Sequence, residues 1–272
     1  MNKELKKDIY DPQRWGFNSE AIADLGNHLH SFWERFKDNF KTKTKNTAGH
    51  ALTYLKGLLL MNQERNYANI ARRVSDPSED GQKLQHFMSD SPWSSESVIN
   101  QVQEEIKETP GLEEGFLLLD ESADEKSGDK SAGAGRQHNG RLGKIDMSQV
   151  GVFLAYYKDK VWNWVDGELF IPKHWFKAEM SKKRKILGIP EERKFFTKIQ
   201  LGWQMIERAL KNGLPFIAVA CDDLYGRSGW LRKKMAKAGI MYLADVPDDT
   251  QVYLSKPDFG VPTSKPAHIT CS

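Results

Sequence analysis

Two aspartates stand where short apolar runs stop: Asp120 after Phe116-Leu117-Leu118-Leu119, and Asp222 after Phe216 to Cys221. A continuous apolar run of this length is the pattern of a strand buried on both faces. If the two strands are parallel, a right-handed crossover brings both C-terminal ends to one edge of the sheet, where open α/β sheets bind ligands. Two carboxylates brought together repel unless one is protonated or a cation lies between them. A divalent ion of the Mg²⁺ type takes oxygen ligands from carboxylates and from substrate phosphates. Two such ions about 3.5–4 Å apart can clamp the attacking and leaving oxygens of a phosphodiester displacement. The alternative is that strand-end aspartates merely begin loops, and spacing alone leaves both open.

The elements that must position this pair fall into two parts. Up to residue 110 the sequence predicts helices. One spans 19–40, with Ile22, Leu25, Leu29, Phe32, Trp33, Phe36 and Phe40 on one face. Others follow at 49–61, 67–74, 80–88 and 94–109, the last stopped by Pro110-Gly111. From 111 the pattern turns to strands at 116–119, 147–157 and 161–171, with a glycine-rich charged loop over 121–146. A helix at 198–212, a strand at 216–221, a helix capped by Ser228 and a strand at 240–246 complete the series. Strands followed by strand–helix–strand units predict an α/β domain with a mixed sheet. The stretch 251–272, with three prolines from Lys256 to Pro266, reads as a loop.

Composition narrows the function classes. The 272 residues are 39% hydrophobic and 11% aromatic, so the chain is neither disordered nor fibrous. Two cysteines, Cys221 and Cys271, exclude a disulfide scaffold or a four-cysteine zinc site. Apolar runs are too short to span a bilayer, and the charged N-terminus lacks a signal core. A cytoplasmic protein with no membrane partner is expected. The net charge of +3 hides a partition: 13 Lys+Arg against 8 Asp+Glu in residues 1–75, 2 against 14 in 76–125, and 25 against 15 in 126–272. Two basic regions around an acidic one suggest a polyanion partner and a local concentration of carboxylates, though charged solvated helices give the same tally.

The wording around the two aspartates is more specific. The run L-L-L-D-E-S-A-D-E-K-S-G from Leu117 to Gly128 leads into S-A-G-A-G-R-Q-H-N-G-R-L-G-K at Ser131 to Lys144 and M-S-Q-V-G-V-F-L-A-Y at Met147 to Tyr156. The segment V-A-C-D-D-L-Y-G follows at Val219 to Gly226. Together these resemble the DDE transposases of bacterial insertion sequences, whose pattern has tyrosine where His138 stands. The segments Arg65 to Val74 and Gln85 to Trp93 are similar to the family's N-terminal region.

The resemblance spans about 15–255. It implies a helical DNA-binding region over 12–110 and an RNase H-like mixed sheet flanked by helices over 111–250, the latter incomplete. It also implies cleavage and joining of DNA strands with Mg²⁺ or Mn²⁺, two ions in the intact site. Asp120 and Asp222 become the first two acids of a triad and metal ligands. The implied partners are DNA at element ends and at the target, with self-association as a further contact and no nucleotide cofactor. On the nucleoid is where such a protein works.

The family's third acid, a glutamate on a later helix, has no counterpart: no Glu follows Glu207. The chain is therefore expected to be an N-terminal portion, with 251–272 opening an insertion or forming a tail. Asp245, near a predicted strand end, is a substitute third ligand. A non-catalytic DNA-binding fragment and a metal-dependent nuclease outside transposition stay open beside the transposase reading.

Other motifs divide between binding and packing. Gly143-Lys144 fails as a P-loop, because His138 and Ile145 occupy positions that need glycine and a hydroxyl residue. Arg136, Arg141 and Lys144 are instead expected to touch DNA phosphates, with glycines letting the backbone approach. Lys41, Lys43 and Lys45, between the first two helices, form a second phosphate-contacting set. A helix-turn-helix over 67–89 would present Gln82, Lys83, Gln85 and His86, against the repulsion of Glu79, Asp80 and Asp90. The tryptophans at 162, 164, 175, 203 and 230 are expected to pack in the interior, as is Cys221.

Overall fold

The computed structural model describes residues 24–247, 249–252 and 269–270, in two compact units divided between Gln101 and Val102. The expected first turn of the opening helix, the stretch 12–23 and most of the 251–272 tail lie outside the described residues.

The first unit is helical: α1 Leu25–Phe36, α2 Ala48–Leu60, α3 Tyr67–Val74, α4 Gln82–Asp90 and the start of α5 Ser95–Glu108. A short 3₁₀ turn, Lys37–Phe40, ends the first helix. The aromatic stripe of α1 buries Trp33 and Phe36. Phe40 sits 5.6 Å from Trp33, 5.9 Å from Phe87 and 5.5 Å from Trp93, ring centre to ring centre, in the tilted or offset geometries that aromatic quadrupoles favour. A second small core joins Ile70, Ala71 and Leu84. Helix α3 starts on Asn66, whose side chain accepts from the Asn69 amide at 2.9 Å. Helix α4 starts on Gly81 at φ +84°, and a Cβ there would lie 2.4 Å from the Ala68 amide nitrogen. Only glycine meets both demands.

The second unit holds a six-stranded mixed sheet in the order β2-β3-β1-β5-β6, with β4 also on β3. The strands are β1 Gly115–Glu125, β2 Gly135–Asn139, β3 Lys144–Lys158, β4 Val161–Phe170, β5 Phe216–Cys221 and β6 Met241–Ala244. Antiparallel pairing links β1, β2 and β4 to β3, whereas β5 runs parallel to both β1 and β6. The intervening helices are α6 Ser181–Ile186, α7 Lys198–Lys211, the single turn α8 Asp223–Gly226 and α9 Gly229–Lys237; a short pair, β7 Gln251–Val252 and β8 Ile269–Thr270, stands apart. This is the expected mixed sheet flanked by helices, the RNase H-like arrangement of DDE enzymes.

One face of the sheet carries the core. Leu117, Leu119, Leu154, Tyr156 and Val219 are fully buried with Leu201, Met205, Ile206 and Ala209 of α7 and Leu231 and Met235 of α9. Each buried aliphatic side chain contributes about 1.5–3 kcal/mol by leaving water. Helix α7 opens with a capping box, Thr197 and Gln200 exchanging side-chain and backbone bonds. Polar bonds tie the layers: Arg208 holds the buried Asp166 carboxylate at 2.8 Å, and the Gln103 amide donates to the Val165 carbonyl at 2.8 Å. The Tyr156 hydroxyl donates to the Pro215 carbonyl at 3.0 Å, joining the starts of β1 and β5 through β3.

Three expectations need correction. The run 116–119 is not buried on both faces, because Leu118 is 39% exposed, in line with Met241 at 65% and Leu243 at 59% on the same sheet face. That face also shows Trp162 and Trp164, 64% and 52% exposed, so these two tryptophans, and Trp230, are not interior; Trp175 and Trp203 are. The span 121–146 is not one loop. Strand β1 runs on to Glu125, and β2 pairs with the start of β3. The alternation of buried Gly135 and Asn139 and half-buried Gln137 with exposed Arg136 and His138 was hidden by the glycines and polar residues around it.

Candidate active site

Asp120 is not the last residue of its strand, and the reason it still lies at an edge is topological. The parallel pairing of β1 with β5 ends at Leu119 and Cys221, while β1 continues beside β3 alone, with Asp120 opposite Phe153. Asp120 and Asp222 therefore each follow the final pair of the parallel ladder. Beyond Cys221 the chain turns at once into α8, and Asp222 caps it: its Oδ1 accepts from the Leu224 amide at 3.1 Å and the Tyr225 amide at 3.4 Å. The tight return needs Gly226, where a Cβ would lie 2.0 Å from the Asp245 carbonyl oxygen.

The two aspartates are joined by a third acid. Oxygen atoms of Asp120, Glu121 and Asp222 all lie within 4.8 Å of one another. Glu121 comes in through Lys198, the first residue of α7, whose ammonium donates to Glu121 Oε1 at 2.9 Å. Behind the cluster stands Tyr225, completely buried. In front is an open cleft of about 510 Å³ lined by Leu118, Asp120, Ala220, Asp222, Leu243 and Asp245.

The electrostatics follow from this crowding. Burial pushes the Asp120 carboxyl above its ordinary range, with the adjacent Glu121 charge adding to it and the Glu121 amide and Lys198 opposing. Burial also raises Asp222, helped by the charges of Glu121, Asp120 and Asp223. The Cys221 thiol, half-buried against the main core, is pushed up to about 11 by burial and by Asp222 and Asp245, so it carries little thiolate at neutral pH. Tyr225 is held neutral by burial and by the Glu121 carboxylate against its hydroxyl.

Whether this site suits the divalent cation expected of the family can be judged from its donors. Three carboxylates in mutual reach form a hard-oxygen set of the kind Mg²⁺ and Mn²⁺ select. Glu121 Oε2 and the Tyr225 hydroxyl are buried facing one another, donor to acceptor, so the fit rests on the three carboxylates themselves. The set fits a hydrated divalent cation.

Sequence reasoning missed Glu121, although its neighbour was singled out. Alternation along a strand puts successive residues on opposite faces, so the strand pattern itself gives no signal that pairs 121 with 120. Asp245 lines the same cleft but is not one of the three carboxylates in mutual reach.

The six cations expected on DNA are all exposed and stand in two groups. Lys41, Lys43 and Lys45 occupy the segment closed by the Lys41–Asn46 bridge, with Lys41 paired to Asp38 at 2.7 Å. Arg136 lies on β2, Arg141 in the turn after it, and Lys144 at the start of β3, paired to Asp146 at 2.7 Å. On the expected reading helix α4, Lys83 is paired with Glu79 at 2.6 Å and His86 with Asp90 at 3.0 Å.

Comparison with known proteins agrees with this geometry. A probable transposase for insertion sequence element IS701, from Microchaete diplosiphon, is 31% identical over 160 residues. The match covers 59% of this chain, and the chain spans only about 38% of that relative's length. The family described as DDE superfamily endonuclease matches residues 35–268. With that match over most of its length, and with acids gathered at the C-terminal edge of a mixed parallel and antiparallel sheet, this chain belongs to the DDE superfamily endonucleases.

Proposed function

We propose that this chain is the DNA-binding and metal-binding portion of an insertion-sequence transposase. The observation that carries the reading is the gathering of Asp120 and Asp222, 102 residues apart in sequence, into one carboxylate cluster beside an open cleft. Asp120 and Asp222 would hold Mg²⁺ or Mn²⁺. Bound there, a pair of such ions activates the attacking hydroxyl and stabilises the leaving oxygen of a phosphodiester.

The chain's own residues do the rest. The Leu224 and Tyr225 amides fix Asp222, and the Glu121 amide fixes Asp120 Oδ1 at 2.7 Å, so both carboxylates are oriented before anything binds. Exposed Arg136, Arg141 and Lys144 contact DNA phosphates near the catalytic sheet, and Lys41, Lys43 and Lys45 do so from the helical unit. The substrate is DNA at element ends and at a target, and the protein works in the cytoplasm on the nucleoid. No described helix is long and apolar enough to cross a membrane.

The family's third glutamate is not among these residues, since none follows Glu207. Strand cleavage and joining then require that acid from the remainder of a transposase. Incubating the purified chain with a labelled duplex carrying an element end and Mn²⁺ tests this. Salt-sensitive binding without nicking is expected, with nicking restored by a polypeptide supplying the missing glutamate and lost again in Asp120→Ala. Absence of DNA binding would refute the reading. Cleavage by the chain alone, lost in Asp222→Ala, would show that the acids present suffice.

A further inference from the structure

We infer that the segment 171–189, a basic knob beside the start of β2, holds the phosphate backbone of duplex DNA without reading its sequence. The inference rests on the DNA-binding reading above and gives it a surface that neither the acidic cleft nor the six cations already named include.

The segment carries six lysines and arginines against one acid, Glu179. A small core of its own holds these like charges together: Ile171, Trp175 and Ile189 are buried in a cluster separate from the main one. Trp175 is fully buried, and its indole N–H donates to the Ala134 carbonyl at 2.9 Å, tying the knob to the chain just before β2. Two of the six cations are turned inward. Arg184 donates to the Trp175 and Lys177 carbonyls, while Lys183 lies 5.1 Å from the centre of the Trp175 ring and pairs with Asp129 at 2.5 Å. With Lys183 and Arg184 facing the core, Lys182 and Lys185 stand exposed three residues apart on the outer side of α6. Lys173 is exposed on the 3₁₀ turn Lys173–Phe176. Lys177 has Glu179 at 3.8 Å, whereas among the described residues Lys173, Lys182 and Lys185 have no ion-pair partner.

A merely solvated face is built differently elsewhere in this chain. Lys83 pairs with Glu79, Lys107 with Glu104 and Arg227 with Asp223, each three or four residues apart. Such pairs stabilise a helix, and Lys182 and Lys185 stand instead in like-charge repulsion. A polyanion removes that repulsion. Backbone phosphates do so at close, regular spacing, and lysines on a fixed scaffold release their counterions. The knob also continues a surface proposed for DNA: the His174 ring lies against Gly135, where a Cβ would come 2.9 Å from it, and Arg136 is the next residue. Lysine acts on phosphate as a point charge, which positions a duplex without selecting its sequence.

Fluorescence anisotropy of the full 272-residue chain on a labelled random-sequence duplex, in EDTA and over a salt series, tests the surface apart from metal and catalysis. Combining Lys173→Gln, Lys182→Gln and Lys185→Gln should flatten the slope of log affinity against log salt by about two to three units and weaken binding by about tenfold or more. The same three positions changed to arginine should keep the slope. Glutamine at Lys160, Lys211 and Lys237, exposed on separate elements, should change it by less than about one unit. An unchanged slope in the first glutamine variant, with salt-sensitive binding by the parent, would overturn the knob and leave the DNA-binding reading standing. Equal flattening by both glutamine sets would overturn it as well, because total charge alone would then set the slope. A parent chain that does not bind the duplex would overturn the DNA-binding reading itself.

Discussion

Three carboxylates within 4.8 Å of each other make the metal-free protein pay for its site, and Asp222→Asn exposes how much. Two unit charges 4.8 Å apart repel by about 0.9 kcal/mol at the dielectric of water and about 3.5 kcal/mol at an effective value of 20. Asp222 faces two such neighbours, and Lys198 offsets part of the repulsion through Glu121. The amide oxygen of asparagine still accepts from the Leu224 and Tyr225 amides, so the cap of α8 survives. The substitution should therefore stabilise the metal-free catalytic unit by about 1–3 kcal/mol. For a unit of this size that is roughly 2–12 °C in Tm.

The pH dependence has a definite sign. A carboxyl raised above its usual 3.8 binds more protons folded than unfolded, so stability falls as pH rises through the raised value. The advantage of the asparagine variant should be small near pH 4 and full at pH 7. Differential scanning calorimetry in EDTA at the two pH values measures it. Adding Mn²⁺ should raise the Tm of the parent and leave the variant almost unmoved, reversing their order. A lower Tm for Asp222→Asn in EDTA at pH 7 would refute the idea that these charges repel in the folded protein.

Other outcomes follow from the same geometry. The chain alone should bind DNA without nicking or joining it in Mg²⁺ or Mn²⁺, as a gel assay with labelled duplex would show. Neutralising Lys41, Lys43 and Lys45 to glutamine should flatten the slope of log affinity against log salt by about two to three units, the lower figure if Lys41 stays with Asp38; an unchanged slope means these lysines only solvate the surface. Gly226→Ala should cost several kcal/mol in a denaturant titration, because its Cβ would lie 2.0 Å from a backbone carbonyl. Leu119→Ala, 1% exposed in the main core, should cost about 2–5 kcal/mol in the same assay, with no change in the salt dependence of DNA binding.

Apolar periodicity and the turn residues already marked the helical first unit, the strand series after Gly111 and the two acids that follow Leu119 and Cys221. These are local patterns, and local patterns survive in a sequence because burial selects residues at fixed periods. Tertiary structure decided the remainder. Asp120 sits at an edge only because β5 stops at Cys221 while β1 continues along β3, a matter of partner length that no single strand records. Strand alternation separates Glu121 from Asp120, yet past the end of the parallel ladder Lys198 holds Glu121 and oxygens of all three acids lie within 4.8 Å of one another. The run Leu117-Leu118-Leu119 could not say which of its faces a helix would cover: α7 lies over Leu117 and Leu119 and leaves Leu118 in the cleft, because hydrophobicity states a preference for burial and only the packed chain supplies the partner.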